Sequence, residues 1–252
     1  MNDVTERPLP GITVTIGPRA VRVSSEAPLA VLSSAVVGGG RDALREILNV
    51  HVDDKYDGER PEEDLAAVAA ELGIRERFVG LMTAAYTEYA RCAVESQGDV
   101  TVAAVVSIGL SNTSSAGVTP PIGAGPTGGA NGPADGGVGP ADGAAAPGPG
   151  TINVILLVDA ALTSAAMVNA VITATEAKAM TLAEWDVRTP DGDPASGTST
   201  DTVVVACTGR GEELRYAGPA TPVGWLAARA VRAAMTRICE EKVEHDGGRV
   251  DW

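Results

Sequence analysis

Short apolar runs alternate along the chain with polar segments rich in glycine and proline. Runs rich in β-branched residues predict strands, because such side chains fit a pleated, half-buried surface. The runs of this kind are 12–16, 19–24, 29–37, 78–84, 88–95, 101–110, 152–158 and 202–207. The runs 101–110 and 152–158 flank a long Gly/Pro-rich stretch, so we expect them to pair as an interrupted hairpin.

Three segments carry the start and stop signals of helices, namely a capping hydroxyl or a proline at the start and, for the first, a glycine at the end. They begin at Pro61, near Thr163 or Ser164, and at Thr221, and the first two end near Gly73 and Trp185. Strands dominate the first part of the chain and alternate with helices later. The pattern predicts an α+β fold with a mixed, largely antiparallel sheet layered with about three main helices.

The stretch 113–150 differs in composition from the rest of the chain. It holds 12 Gly and 7 Pro among 38 residues and repeats the unit GPADG. Such a segment buries too little apolar surface to offset its conformational entropy. We therefore expect a single domain over 1–252, with 113–150 as a flexible insertion and 243–252 as a polar tail.

The overall charge narrows the choice of partners. The formal net charge is −14, which argues against nucleic acid and acidic membranes as partners. The chain has no apolar run long enough to span a membrane and no signal peptide at its start, so a cytoplasmic protein is expected. Arginine far outnumbers the 3 lysines, which fits either a salt-adapted proteome, such as that of a halophilic archaeon, or a GC-rich genome. The 3 cysteines lack the spacing of a zinc site or a disulfide framework.

Two features of the second helix are candidates for part of a functional site. Asn169, Thr173 and Glu176 form one polar stripe, which is either a solvated face or part of a site. Lys178 lies on the apolar side of the same helix. A lysine there either extends its ammonium group to solvent, pairs with a buried carboxylate or serves a site.

Two other segments concentrate polar side chains next to predicted strands. Thr198, Ser199, Thr200 and Asp201 precede the last strand and form either an anion-binding turn or an ordinary Ser/Thr turn. Asn49, His51 and Asp53 share one face if their segment is extended, which gives a weak general-base arrangement. Gly38–Gly40 lacks the spacing of a phosphate loop and is interpreted as a turn. Thr83 and Asn112 end predicted strands, where sites often gather.

Seven segments, taken together and in order, resemble the adenosylcobinamide amidohydrolases of corrinoid salvage. They are LSSAVVGGG (32–40), NVHVDDKY (49–56), VGLMTAA (79–85), IGLSN (108–112), GTINVILLVDAALTSAAMVNAVITATEAKAMTL (150–182), GTSTDTVVVACTG (197–209) and YAGPATPVGWL (216–226). The resemblance implies hydrolysis of the amide that joins aminopropanol to a corrin propionate, giving adenosylcobyric acid and 1-aminopropan-2-ol. The Gly/Pro-rich stretch departs from the family, where a short connection is expected.

Within the matching segments we choose site candidates by their chemistry. His51 or Glu176 is the expected general base, and Thr198 to Asp201 are expected to stabilise the oxyanion with help from Asn112 or Lys178. A threonine nucleophile, Thr83 or Thr200, is the variant mechanism. The expected catalytic residues are His51, Glu176, Lys178, Thr200 and Asp201, and the expected substrate-binding residues are Asn49, Thr83, Asn112, Asn169, Thr173, Thr198 and Ser199.

The expected partner is a corrinoid, which carries its own cobalt, so no further cofactor and no protein-bound metal are expected. Homo-oligomerisation is left open. A corrinoid-binding or regulatory module without hydrolytic activity is the alternative function. An unrelated amidase or a self-processing N-terminal-nucleophile hydrolase is a third hypothesis.

Overall fold

A computed structural model gives the fold and describes residues 3–53, 56, 59–121 and 150–245. The strands are β1 Val4–Leu9, β2 Ile12–Ile16, β3 Ala20–Ser33, β4 Gly40–His51, β5 Phe78–Thr83, β6 Arg91–Gln97, β7 Val100–Ile108, β8 Thr113–Ser114, β9 Ile152–Val158, β10 Ala161–Leu162, β11 Gly197–Thr198, β12 Thr202–Cys207 and β13 Glu213–Leu214. The helices are α1 Pro61–Glu71, α2 Ser164–Glu184 and α3 Pro222–His245, and a short 3₁₀ turn covers Thr87–Tyr89.

One mixed sheet forms the frame of the molecule. Seven strands pair in the order β1-β2-β3-β12-β9-β7-β6, and β4 joins the other edge of β3 and carries β5. Within this sheet β12 with β9 and β4 with β5 are parallel pairs, whereas the remaining pairs are antiparallel. The predicted α+β class and the hairpin of β7 with β9 are confirmed.

The middle of this sheet is buried on both faces. Along β9, Ile152, Val154, Leu156 and Val158 pack into a cluster with α2 and α3. The alternate residues Ile155 and Leu157 pack into a second cluster with β1 to β5. Side chains alternate between the two faces of a strand, and both faces of β9 are covered. All seven residues of β9 are therefore buried. A polar side chain at either end of this strand therefore needs a partner within the protein.

Helix α1 covers β4 and β5 on their outer side. Leu65, Val68 and Ala69 of α1 are buried against Leu48 and Val50 of β4. An ion pair fastens the same corner, because Arg22 donates to both oxygens of Glu46 at 2.8 and 2.9 Å and to the Leu72 carbonyl at the end of α1. The hydrogen bond to Glu46 raises the pKa of Arg22. This corner supports the strand that ends at His51.

The predicted helix signals are confirmed by hydrogen bonds. Thr163 Oγ1 accepts the Ala166 N–H at 3.1 Å at the start of α2. Thr221 Oγ1 accepts the Gly224 N–H at 3.1 Å at the start of α3. Gly73 follows α1 with a φ of 75°, a conformation that glycine adopts without strain.

Two strand predictions were wrong in their bounds. Segments 19–24 and 29–37 are one strand, β3, which ends at Ser33 and shifts register against β4 between Ser24 and Leu29. The exposed Pro28 lies in this irregular segment, which is where a sheet tolerates proline. Strand β1 and most of β4 were not predicted, because their segments mix charged and apolar residues without a β-branched run. Gly38 and Gly40 both have positive φ, which confirms the turn at Gly38–Gly40.

The first two residues of the segment predicted as a flexible insertion form a strand. Thr113 and Ser114 form β8, which pairs with Thr198 and Gly197 of β11. The core of that prediction, 122–149, lies outside the described residues. At the carboxyl end α3 continues to His245, and 246–252 also lie outside the described residues. No helix in the described part of the chain is long and apolar enough to cross a membrane.

Candidate functional site

A buried ion pair joins the second helix to the start of the last strand of the sheet. Lys178 of α2 donates from Nζ to Asp201 Oδ2, and the two side chains are 9% and 13% exposed. Asp201 also accepts the Ile152 N–H at 3.0 Å, the Thr198 N–H at 3.1 Å and the Thr198 hydroxyl. Of the three roles considered for Lys178, the structure shows the pairing with a buried carboxylate.

Four consecutive residues at the start of β9 contact Thr200, Asp201 and Asn49. The Gly150 carbonyl accepts the Thr200 hydroxyl at 2.9 Å, and Thr151 Oγ1 lies 2.5 Å from Thr200 Oγ1. The Ile152 N–H binds the carboxylate of the ion pair, and Asn153 donates its amide to Asn49 Oδ1 at 2.8 Å. We call this segment, 150–153, the β9 entry.

Buried amides link the β9 entry to the facing strands. Asn153 Nδ2 donates both to Asn49 Oδ1 and to the Met82 carbonyl, at 2.8 and 3.0 Å. Asn49 Nδ2 in turn donates to Ser107 Oγ at 2.8 Å. The Asn49, Ser107 and Asn153 side chains are each at most 2% exposed. These bonds hold β4, β5, β7 and β9 together at one end of the interior.

His51 ends β4 on the same face as Asn49, as predicted from the alternation. Its Nδ1 lies 3.0 Å from the Ala85 carbonyl oxygen, and the ring of Tyr86 stacks on it at 5.3 Å. A side chain on Gly109 would come within 3.2 Å of Ala85 Cβ and 3.4 Å of Thr151 N, so this glycine lets the His51 partner approach the β9 entry closely.

Buried Asn112 binds exposed Ser199 at the edge of the polar cluster formed by the β9 entry, the ion pair and their partners. Asn112 Nδ2 donates to Ser199 Oγ at 2.9 Å, and Asn112 Oδ1 is buried without a hydrogen-bond partner among the described residues. Ser199 and Thr200 are exposed, whereas Thr198 is buried. Solvent therefore reaches the cluster at the turn that precedes β12.

The structure separates the polar stripe of α2 from Lys178. At about 100° per residue, Glu176 and Asn169 lie roughly 200° and 180° around the helix from Lys178, and Thr173 lies about 140° away. Glu176 is exposed and has no hydrogen-bond partner among the described residues, and Asn169 is half-buried. Thr173 is buried and its hydroxyl donates to the Ala217 carbonyl at 3.0 Å. This bond joins α2 to the segment that precedes α3. None of the three reaches the β9 entry.

Sequence reasoning missed several residues that the structure brings to the cluster, chiefly Thr151, Asn153 and Ser107. Asn153 and Ser107 interrupt otherwise apolar strands, INVILLV and VTVAAVVSI. A polar side chain in a strand buried on both faces signals a partner in the interior. The two polar residues in these apolar runs are the sequence signal for this buried hydrogen-bond network.

The three cysteines do not belong to this cluster of polar residues. Burial raises the pKa of Cys92, Cys207 and Cys239 to about 12. A thiol with so high a pKa is almost fully protonated at neutral pH and is a poor nucleophile. Among the described residues, no group of three His, Cys, Asp or Glu side chains is arranged to hold a metal ion.

We expect all three thiols to be unreactive in the folded protein. At pH 8 a disulfide reagent such as dithionitrobenzoate should modify none of them within the time that a model thiol needs for completion. In guanidinium chloride it should modify all three, because unfolding removes the burial that raises their pKa. Rapid reaction of any thiol in the folded protein would contradict its burial.

Substitution of Gly197 tests how closely the protein packs around the Lys178–Asp201 ion pair. A Cβ at this position would collide with Asp201 Oδ2 and Lys178 Nζ. Gly197→Ala should therefore lower the free energy of unfolding by about 2 kcal/mol, as is typical of overpacking a filled site. Urea unfolding measures this change. Gly218→Ala is the matched control, because a Cβ there meets no atom within 4 Å, and an equal loss in both variants would show that the effect is not specific to the pair.

Comparison with known proteins places the chain in a family. A profile of the adenosylcobinamide amidohydrolase family matches residues 11–246. An adenosylcobinamide amidohydrolase of Methanosarcina mazei is 30% identical over 207 residues, which cover 79% of this chain and 84% of that protein. One of Halobacterium salinarum is 45% identical over 87 residues, about a third of each chain (34% and 35%).

A crystal structure of a Pyrococcus horikoshii protein aligns with 95% of this chain and 83% of its own at 12% identity. Its TM-score of 0.46 is too low to support a shared fold. The family profile covers the β9 entry, the ion pair and His51 alike. The chain therefore belongs to the adenosylcobinamide amidohydrolase family of hydrolases.

Proposed function

We propose that this protein hydrolyses adenosylcobinamide to adenosylcobyric acid and 1-aminopropan-2-ol, as a step of cobinamide salvage. The observation that carries the proposal is the buried Lys178–Asp201 pair beside an exposed hydroxyl turn at the β9 entry of a chain from this family. His51 lies two residues beyond Asn49, which binds Asn153 of the β9 entry. Amide hydrolysis needs a base, a group that stabilises negative charge and access for the carbonyl. The proposal assigns these parts to His51, Lys178 and the exposed turn.

His51 is the general base in this proposal. A carbonyl oxygen only accepts hydrogen bonds, so the contact with Ala85 requires a proton on Nδ1. In the neutral ring Nε2 then carries the lone pair that takes a proton from water. The resulting hydroxide adds to the substrate carbonyl, the C–N bond breaks and the imidazolium returns the proton to the leaving nitrogen. The products are a carboxylate and an ammonium ion after one further proton exchange.

Asp201 is unsuited to the role of base. Its two oxygens already accept two backbone N–H groups, the Thr198 hydroxyl and the ammonium group of Lys178. A carboxylate whose oxygens are already bound by four donors has no free position from which to accept a proton from an attacking water. It positions Lys178, whose positive charge lies in a buried, weakly screened environment and stabilises the tetrahedral oxyanion.

Ser199 supplies the donor nearest to solvent. Its hydroxyl oxygen accepts the Asn112 amide, so its own hydrogen remains available to the oxyanion. The N–H and hydroxyl of Thr198 already bind Asp201 and are not available. Within the turn of Thr198 to Asp201, the proposal therefore assigns oxyanion binding to Ser199.

Water, not Thr200, is the nucleophile in this mechanism. The Thr200 hydroxyl donates to the Gly150 carbonyl and contacts Thr151, and neither group can take its proton. A hydroxyl nucleophile needs a base within hydrogen-bond reach. Thr200 instead fixes the β9 entry beside the site.

Exposure differs among the residues of the proposed site. Asn153 is 1% and Lys178 7% exposed, whereas Ser199, Thr200 and Tyr86 are exposed. In the proposal the substrate amide therefore approaches from the exposed turn, and the bulky corrin ring stays outside.

The direct test is incubation of the purified protein with adenosylcobinamide, followed by identification of products by mass spectrometry. Adenosylcobyric acid and 1-aminopropan-2-ol should form in equal amounts, and activity should survive a chelator because the mechanism needs no protein-bound metal. Tight corrinoid binding without release of aminopropanol would instead identify a binding or regulatory module.

Substitutions separate the two candidate bases and the charged pair. His51→Gln should lower kcat by about 10²–10⁴, whereas Glu176→Gln should remain near wild type.

Lys178→Met should lower kcat by about 10²–10³ and also destabilise the fold, because it leaves the Asp201 charge unpaired. The double variant with Asp201→Asn should regain stability in urea while its activity stays low. Recovery of activity in the double variant would show that the pair acts only through folding.

A further inference from the structure

The turn after β5 holds His51 through a single residue, Ala85. The Ala85 N–H donates to Thr83 Oγ1 at 3.0 Å, and the carbonyl of the same residue lies 3.0 Å from His51 Nδ1. Thr83 and His51 are register partners on the parallel strands β4 and β5. Two side chains from adjacent strands therefore bind the two polar groups of Ala85.

We propose that Thr83 is a positioning residue that sets the tautomer of His51. Its hydroxyl oxygen anchors the Ala85 N–H, and this anchor aims the Ala85 carbonyl at His51 Nδ1. The carbonyl stabilises the tautomer with a proton on Nδ1 and leaves the lone pair on Nε2. Thr83 acts through Ala85 and His51 and touches no reacting atom. The consequence for catalysis rests on the proposed role of His51 as general base.

The environment of Thr83 supports a role inside the protein. Thr83 is 2% exposed, so a substrate does not reach its hydroxyl in this conformation. Its backbone carbonyl accepts the Val52 N–H at 2.9 Å, just beyond His51. The stacked ring of Tyr86 covers one face of the imidazole and belongs to the same turn. A change in this turn is therefore transmitted directly to the ring of His51.

The chain is well suited to a spectroscopic test, because it contains only 2 histidines, His51 and His245. Protein labelled with ¹⁵N-histidine gives two imidazole spin systems, and His51→Gln assigns them. Two-bond ¹H–¹⁵N correlation spectra recorded above the titration range identify the protonated nitrogen of each neutral ring. The test uses the full chain and needs no substrate.

Thr83→Val keeps the β-branched shape and removes the acceptor, whereas Thr83→Ser keeps the acceptor. We expect wild type and Thr83→Ser to show His51 with its proton on Nδ1. Thr83→Val should shift the tautomer ratio toward the Nε2-protonated form by about five- to tenfold, as expected for the loss of one hydrogen bond. Its kcat for adenosylcobinamide should fall in proportion to the lost Nδ1-protonated fraction with KM unchanged, and Thr83→Ser should restore both the tautomer and kcat.

Thr87→Val is the matched control in the same turn, because the buried Thr87 hydroxyl donates to the Gly17 carbonyl and not to the Ala85 unit. It should leave the tautomer of His51 unchanged. An equal shift in Thr87→Val, or no shift in Thr83→Val, would overturn the assignment. Loss of all activity in Thr83→Val with an unchanged tautomer would also overturn it and would identify Thr83 as a nucleophile. A tautomer shift in a protein that does not cleave adenosylcobinamide would support the positioning of His51 and refute the proposed function.

Discussion

The Lys178–Asp201 pair is the constraint on which the geometry of the site depends. A charge withdrawn from water must be compensated inside the protein, and the carboxylate of Asp201 obtains this compensation from the ammonium group, two backbone N–H groups and a hydroxyl. These donors come from α2, the start of β9 and the β11 turn. The requirement to satisfy one carboxylate thus fixes three chain segments relative to one another.

The position of the pair follows from the burial of β9. Six of its seven residues pack into two hydrophobic clusters, so polar groups gather at its two ends, the β9 entry and Asp159, which binds Thr208 and Arg210. Ile152 turns its backbone N–H to the ion pair, and Asn153 turns its amide to the opposite layer. The two faces of one strand therefore connect the charged side of the cluster with the strand that carries His51. A site built on strand ends in this way is held more precisely than one built on loops alone.

Much of the fold and part of the site follow from the sequence alone. Apolar runs and capping residues predicted most strands and all three helices, because burial and capping act over a few residues. The odd placement of Lys178 predicted a partner or a site, but the identity of Asp201 as that partner depends on contacts across 23 positions. Helical spacing grouped Glu176 with Asn169 and Thr173 correctly but could not tell that this face turns away from the β9 entry. Strand β4 was missed because its charged residues, such as Glu46, pair in three dimensions.

The two halves of the site differ in the forces that hold them. Lys178 and Asp201 are fixed by charge in a poorly screened environment, so their geometry changes little without large cost. His51 is fixed by a neutral carbonyl in a turn whose tyrosine is exposed, an arrangement held by bonds of ordinary strength. A base must exchange protons and therefore change its charge in each catalytic cycle, whereas an oxyanion-stabilising group must not. The strong, charged anchoring of Lys178 and the weaker, neutral anchoring of His51 match the two roles that we propose for these residues.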